Sequence, residues 1–355
     1  MKATLWHQDA HFRTVVNAAH QRHAGRSRLF LALEDDGVVG YGEIAPQPHD
    51  LNGDAGIASV IKELQTFTLP LLMDIVAREK ALPSWSRAAR LAGSRPASNP
   101  AGALLEMALL ERELRVEGAT IAEWWTPRYH TPLQTVVSML EVESDWYVGT
   151  ATRVRAKTKP GTPSDRALDQ LKRLTVPVLL DFNCSATSAA EVIEHVHAVQ
   201  RTAEVAGVEQ PFAVGDVISQ ALLAEQIDVA LSVDEGLRSM SDLAQLVRYH
   251  AASIICVKPA RVGGLANART IVAKAHDSGI RAYIGGFFES PFGRTVNRAL
   301  AVSLLAEPSD IGMIDVVLED YEREVDEVPG GFGVIPSREM LDRAASVTVI
   351  SHEAI

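Results

Sequence analysis

The feature that most constrains this chain is a set of short β-branched runs that recur from about residue 132 onward, several of them closing on a charged residue. They cover 135–140, 153–157, 176–181, 205–209, 229–234, 253–258, 280–285 and 313–318, and helix-like stretches such as 188–201 and 265–278 separate most of them. Strands alternating with helices build parallel βα units, and a count of eight favours a closed barrel over an open sheet. An open doubly wound sheet would carry a glycine-rich phosphate turn after its first strand, and none is present.

The first 125 or so residues have a different texture. Segments 28–33 and 38–44 read as two strands about the tight turn Asp35, Asp36, Gly37. Helical stretches follow. The clearest is expected to open with Asn99 as its cap and Pro100 at the first helical position, to bury Leu104, Leu105, Ala108 and Leu109, and to close at Gly118. The tail from 326 carries Pro329, Gly330, Gly331, Phe332 and Gly333 and reads as running back over the first block.

Bulk properties narrow the function. A formal net charge of −11 over 355 residues argues against a nucleic-acid partner, which needs a basic face. Two cysteines, Cys184 and Cys256, cannot make a disulfide framework. The first residues turn polar at His7, Gln8 and Asp9, and no apolar run reaches the roughly 20 residues that span a bilayer. A soluble cytoplasmic protein with no membrane partner is the expectation, and a homo-oligomer is compatible with it.

In a parallel barrel the chemistry sits at the C-terminal strand ends. Read in order, those ends offer Lys157 and Lys159, then Asp181, Glu209, Asp234 and Lys258, with separations from Lys159 onward of 22, 28, 25 and 24 residues. Each step is about one βα unit, so all six side chains are expected around one mouth. A single Asp or Lys at a strand end is ordinarily a solvated loop residue; six of complementary type in consecutive register are not. Three converging carboxylates repel unless a cation lies between them, and an oxygen-only donor set suits Mg²⁺ or Mn²⁺ rather than Zn²⁺. A desolvated lysine near a cation has a lowered pKa and can act as a base. Lysines flanking such a centre suit proton removal beside a carboxylate, with the resulting enolate stabilised by charge. His195 and His197, two apart on a helix, point to different faces and make no metal pair.

At these residues the sequence resembles the enolase superfamily, in its muconate-lactonizing subgroup. The resemblance is carried by Arg155, Lys157 and Lys159; Asp181 and Asn183; Glu209, Gln210 and Pro211; Asp234 and Glu235; and Lys258, Pro259, Arg261, Gly263 and Gly264. It extends to Gly40, Gly42 and Glu43 and to Leu105, Glu106, Met107 and Ala108 in the first block. The resemblance implies a (β/α)7β TIM-like barrel over 126–325 and an α+β capping domain made of 1–125 with 326–355. It also implies Mg²⁺ on Asp181, Glu209 and Asp234, Lys159 and Lys258 as the acid/base pair, and Lys157 holding the enolate oxygen. The stretch from Gly285 to Ser290, with Gly293, Arg294 and Asn297, is similar to o-succinylbenzoate synthases and N-succinylamino acid racemases. That similarity implies a small-molecule carboxylate substrate touching Ser138, Asn183, Gly286, Phe287 and Phe288, with loops 12–23 and 43–54 selecting it. Phe287 and Phe288 stand where smaller apolar residues are usual, which leaves dehydration, racemisation and cycloisomerisation open. A barrel that binds its ligand without turning it over is the non-enzyme alternative.

Overall fold

The computed structural model describes residues 1–17, 22–88, 97–125, 136–139, 151–304, 307–311 and 323–351. Two sheets organise them. The first is antiparallel, with order β13-β1-β2-β3, where β1 is Lys2–Asn17, β2 Arg22–Asp35, β3 Val38–Ile44 and β13 Ala345–Ser351. Asp36 and Gly37 turn the chain between β2 and β3 with φ of 51° and 75°. Both flanking strands were legible in the sequence; β1 and β13 were not. Strand β13 is the edge strand, paired antiparallel to β1.

The second sheet is parallel and seven-stranded. It comprises β4 (Val136–Met139), β5 (Arg153–Lys157), β6 (Val178–Asp181), β7 (Val205–Glu209), β8 (Ala230–Val233), β9 (Ile254–Val257) and β10 (Arg281–Ile284), paired in chain order. The expected eighth strand, 313–318, lies outside the described residues. A short antiparallel pair, β11 (Val325–Glu327) and β12 (Val334–Pro336), completes the strands described.

Side-chain alternation gives this sheet two unlike faces. Val154, Ala156, Val178 and Leu180 pack outward with Val192, Val196 and Val199 of the Ala189–Gln200 helix. Leu179, Ile254, Cys256 and Tyr283 pack together on the inner face. The Arg153 guanidinium of β5 lies 5.3 Å from the ring of Tyr283 on β10, although four strands separate the two in the sheet. The sheet is therefore strongly curled, with its inner face closed around polar and charged side chains.

Helices after the strands start at side-chain caps, which supply acceptors for otherwise orphaned N–H groups. Ser164, Ser188, Asp216 and Ser239 each accept from a backbone N–H at a helix start. The Leu265–Asp277 helix has only Gly264 at its cap position. Its first N–H groups, those of Leu265 and Ala266, donate instead to Glu106, which reaches over from the Ser98–Glu117 helix. That long helix begins one residue before the expected cap, with Ala97 in the cap position. Asn99 is used elsewhere: its Nδ2 donates to the carbonyls of Arg238 and Arg261 at 3.1 and 2.7 Å. Both Glu106 and Asn99 thereby tie the first block to the parallel sheet.

Candidate active site

The sheet's C-terminal edge carries the charges the sequence singled out. Asp181 closes β6 and Glu209 closes β7, opposite one another in register; Asp234 follows β8 and Lys258 follows β9. All four are buried. Lys157, the last residue of β5, donates to Asp181 Oδ2 at 2.9 Å and to Asn183 Oδ1 at 2.7 Å. Lys258 Nζ donates to Asp234 Oδ2 at 2.7 Å. Asn183 links the acids: its Nδ2 donates to Asp181 Oδ2 at 3.2 Å and to Glu235 Oε1 at 3.1 Å. The two amines thus hold the acidic group from its two ends in strand order, Lys157 through Asp181 and Asn183 and Lys258 through Asp234.

Lys159 is not part of it. Alternation alone would return this residue to the inner face, but β5 ends at Lys157, and Pro160 and Gly161 (φ 102°) turn the chain away. Lys159 is left exposed. Thr158 between them points outward and meets His195 Nε2 at 2.9 Å, while His195 Nδ1 contacts the Gly161 carbonyl at 2.7 Å. His195 is a buried fastener for this turn.

Several groups at the centre were given no role from the sequence. Arg155, two residues before Lys157 and on the same face, donates to Glu209 Oε1 at 3.2 Å and to Asp310, and lies 3.9 Å from Asp181. Arg261 donates to Asp234 and, at 2.8 and 2.6 Å, to both oxygens of Asp54. Tyr283 donates to Glu209, which also accepts from Ser232 at 3.1 Å. Period-two spacing with Lys157 could have revealed Arg155. Nothing local could have revealed Tyr283 or Asp54, whose roles depend on folding.

The electrostatics follow from crowding in a dry place. Burial, and then the Asp181 charge, push Glu209 up to about 7 despite Arg155. Burial, Asp234 and Asp181 push Glu235 up to about 7 as well. Asp234 moves the other way: burial opposes its charge, but Arg261 and Lys258 outweigh it and hold the carboxyl well below the usual range. Lys258 is shifted up. Burial disfavours the Lys258 ammonium, and the contact with Asp234 more than compensates.

A divalent cation fits this donor set by chemistry. Four buried carboxylates share one end of the sheet, only oxygen donors are offered, and the charges of Asp181 and Asp234 raise the proton affinity of both Glu209 and Glu235. Glu235 Oε2 is buried with no hydrogen-bond partner among the described residues. The acids are not, however, drawn onto one point: among the described residues no three Asp, Glu, His or Cys side chains stand close enough to share an ion. Arg155, Lys157, Lys258 and Arg261 hold the oxygens that ligation would use.

The loop after β10 covers one side. Phe287 is buried, with Lys258 Nζ 4.7 Å, Arg261 Cζ 5.0 Å and Arg26 Cζ 5.6 Å from its ring centroid. Phe288 adopts φ 68°, a conformation that strains a bulky residue by about 1–3 kcal/mol. It is pinned there by Arg28, which donates to its carbonyl at 3.3 Å, and by the Phe12 ring at 5.0 Å. A Cβ on Gly286 would stand 2.5 Å from Glu289 Oε2 and 3.1 Å from the Arg294 guanidinium, so this glycine sits against that ion pair rather than against the acids. Ser138 pairs with Arg155 through β4; its side chain lies outside the described residues.

Comparison with known proteins shows the family. Residues 150–338 match the family described as enolase C-terminal domain-like. The chain belongs to that family and is an enzyme of the enolase superfamily. Among its relatives, the o-succinylbenzoate synthase of Bacillus subtilis (strain 168) is 26% identical over 316 residues, covering 84% of this chain and 81% of the relative. An N-succinylamino acid racemase from Amycolatopsis sp is 29% identical over 268 residues, covering 69% and 71%. A solved member of the enolase superfamily from Listeria innocua Clip11262 superposes with a TM-score of 0.81 at 19% identity, over 98% of this chain and 97% of that one. No helix among the described residues is long and apolar enough to cross a membrane.

Proposed function

We propose that this enzyme removes the proton beside a substrate carboxylate and stabilises the resulting enolate, in a dehydration of the o-succinylbenzoate synthase kind. One observation carries the reading: Lys157 and Lys258 come from different strands and grip Asp181 and Asp234 from opposite sides of one buried acidic group. On this reading the curled sheet continues into a (β/α)7β barrel with 313–318 as its eighth strand, and the antiparallel sheet with its helices caps it.

Asp181, Glu209 and Asp234 are the residues that would hold Mg²⁺ or Mn²⁺, with Glu235 beside them. Bound there, the cation supplies Lewis-acid polarisation of the substrate carboxylate. Lys157 and Lys258 replace Lys159 and Lys258 as the pair that addresses the α-carbon. Dehydration needs one of them to take the proton; racemisation needs both, one per face. Asn183 keeps Lys157 and Asp181 in fixed relation. Phe287 shields the Lys258 ammonium from water and supplies a ring face for a cation, a contact of about 0.5–2 kcal/mol. N-succinylamino acid racemisation is the second reading, favoured by the placement of one amine on each side.

The test is α-proton exchange in D₂O, followed by proton NMR with Mg²⁺ present, on an N-succinylamino acid and on the hydroxylated cyclohexadiene diacid that dehydrates to o-succinylbenzoate. Lys157→Ala and Lys258→Ala should each lose exchange by about a thousandfold or more, in line with removal of a general base or acid. Lys159→Ala should keep it within a few-fold. Exchange that survives both inner substitutions but fails in Lys159→Ala would overturn the assignment. The product formed distinguishes dehydration from racemisation.

A further inference from the structure

Arg26 is buried to 4% exposure, yet its guanidinium donates only to neutral acceptors. Nε and Nη2 reach the Ala45 carbonyl at 3.1 and 2.9 Å, and Nη1 reaches Gln47 Oε1 at 2.8 Å. Among the described residues no carboxylate lies within ion-pair distance of it. The acids that influence it are engaged elsewhere: Asp54 with Arg261, and Glu289 with the Phe287 N–H at 2.8 Å and Arg294 at 3.4 Å. Burial first, and then the like charges of Arg261 and Arg28, pull Arg26 down to about 10 although Glu289 and Asp54 oppose this. A buried cation without an anion costs several kcal/mol.

The groups around Arg26 are also walls of a cleft. Ala45, Gln47 and Phe287 line it with Arg238 and Arg261, and its volume is about 470 Å³ counting the solvent space at its mouth. Asp54 is the one acid in that lining, and Arg261 holds both its oxygens. Arg238 Nε is buried and has no hydrogen-bond partner among the described residues. In a chain of net charge −11, this cleft is locally cationic. It also adjoins the reacting groups. Lys258 Nζ and Arg26 Cζ contact the same Phe287 ring, at 4.7 and 5.6 Å from its centroid, so they are at most about 10 Å apart.

We propose that Arg26, with Gln47 beside it and Arg238 at the rim, receives the second carboxylate of a diacid substrate whose first carboxylate meets the acid and lysine group. The inference rests on the enolate reading above and names the residue that selects the substrate. Gln47 Oε1 holds the place on Nη1 that a carboxylate oxygen takes, and its released amide donates to the other oxygen. Four or five bonds between the acidic carbon and the distal carboxylate extend to about 6 Å. With contact distances added at each end, that length reaches the roughly 10 Å that bounds the separation between Lys258 and Arg26.

The experiment compares N-succinyl-L-phenylalanine with its analogue ending in a primary amide, which removes the distal charge and keeps the shape. Calorimetric titration of the full chain with excess Mg²⁺ should show the diacid binding on the order of 30-fold tighter, the worth of a hydrogen-bonded buried ion pair. Arg26→Met should bring the two ligands within about threefold of each other by weakening the diacid alone; Arg26→Lys should restore part of the preference. Gln47→Glu is the second variant and keeps Arg26 in place: its own carboxylate should occupy the guanidinium and weaken the diacid without weakening the amide. An unchanged preference in Arg26→Met, an equal loss for both ligands, or a Gln47→Glu protein that still prefers the diacid would overturn the proposal. Failure of the enolate reading shows separately, as wild-type protein that binds but exchanges no α-proton.

Discussion

Glu106 offers a measurable consequence of the way the first block is joined to the parallel sheet. It lies in the middle of the Ser98–Glu117 helix, is fully buried, and caps the Leu265–Asp277 helix through the N–H groups of Leu265 and Ala266. No cation is among the groups that set its proton affinity. Burial raises its pKa from 4.5 to about 7, and the two backbone donors only partly oppose this. Between those values the folded protein binds more protons at this site than the unfolded chain. Its contribution to stability is therefore full below about pH 4.5 and is lost as pH rises through 7. At pH 5.5 the unfolded carboxyl is already mostly ionised while the folded one is still protonated, and by pH 8 both are ionised, so the contribution lost between the two is about 2 kcal/mol. Glu106→Gln keeps the shape and cannot titrate. Urea unfolding of both proteins at the two pH values isolates this group, because other raised glutamates such as Glu43 and Glu111 are common to both. The stability gap should move by about 2 kcal/mol in favour of Gln as pH increases. Parallel profiles would refute the claim that a buried, ion-free carboxylate closes this junction.

Gly264 has φ 123°, and a Cβ there would collide with Glu106 Oε2, so Gly264→Ala should lower stability by about 2–4 kcal/mol in the same assay. Arg28 is fully buried and meets both oxygens of Glu324 at 2.8 Å, so Arg28→Met should cost about 3–5 kcal/mol, with part of it recovered when Glu324→Gln is added. Thermal melts of the single and double variants check the coupling. Asp181→Asn should remove Mg²⁺-dependent exchange by about a hundredfold or more while the circular dichroism spectrum stays that of the wild type, since the loss falls on charge and not on packing.

Much of the site could be read before folding because barrel-like chemistry is written at strand ends, and strand ends are local. β5 and β7 were delimited to the residue, and Asp181, Glu209, Asp234 and Lys258 all come to the C-terminal edge of the sheet. Lys258 stands alone at the end of its strand, whereas Lys157 and Lys159 compete for one place at the end of theirs. Both obey the same alternation, and only the turn at Pro160 and Gly161 decides that the first faces inward and the second is left in water. The direction of the Lys258 shift likewise depends on a partner that only folding supplies, since a single carboxylate at 2.7 Å outweighs desolvation.

Hydrophobic alternation and the spacing of βα units thus determined, from the sequence, which residues line the reacting edge: these are properties of a chain of period two interrupted by helices. The partners of those residues were decided only in three dimensions. Arg155 reaches Asp310 across 155 residues, Asp54 reaches Arg261 across 207, and Glu43 takes the Ser290 N–H across 247. No local pattern encodes such pairs, because a buried charge is answered by whatever the curled sheet and the first block bring beside it.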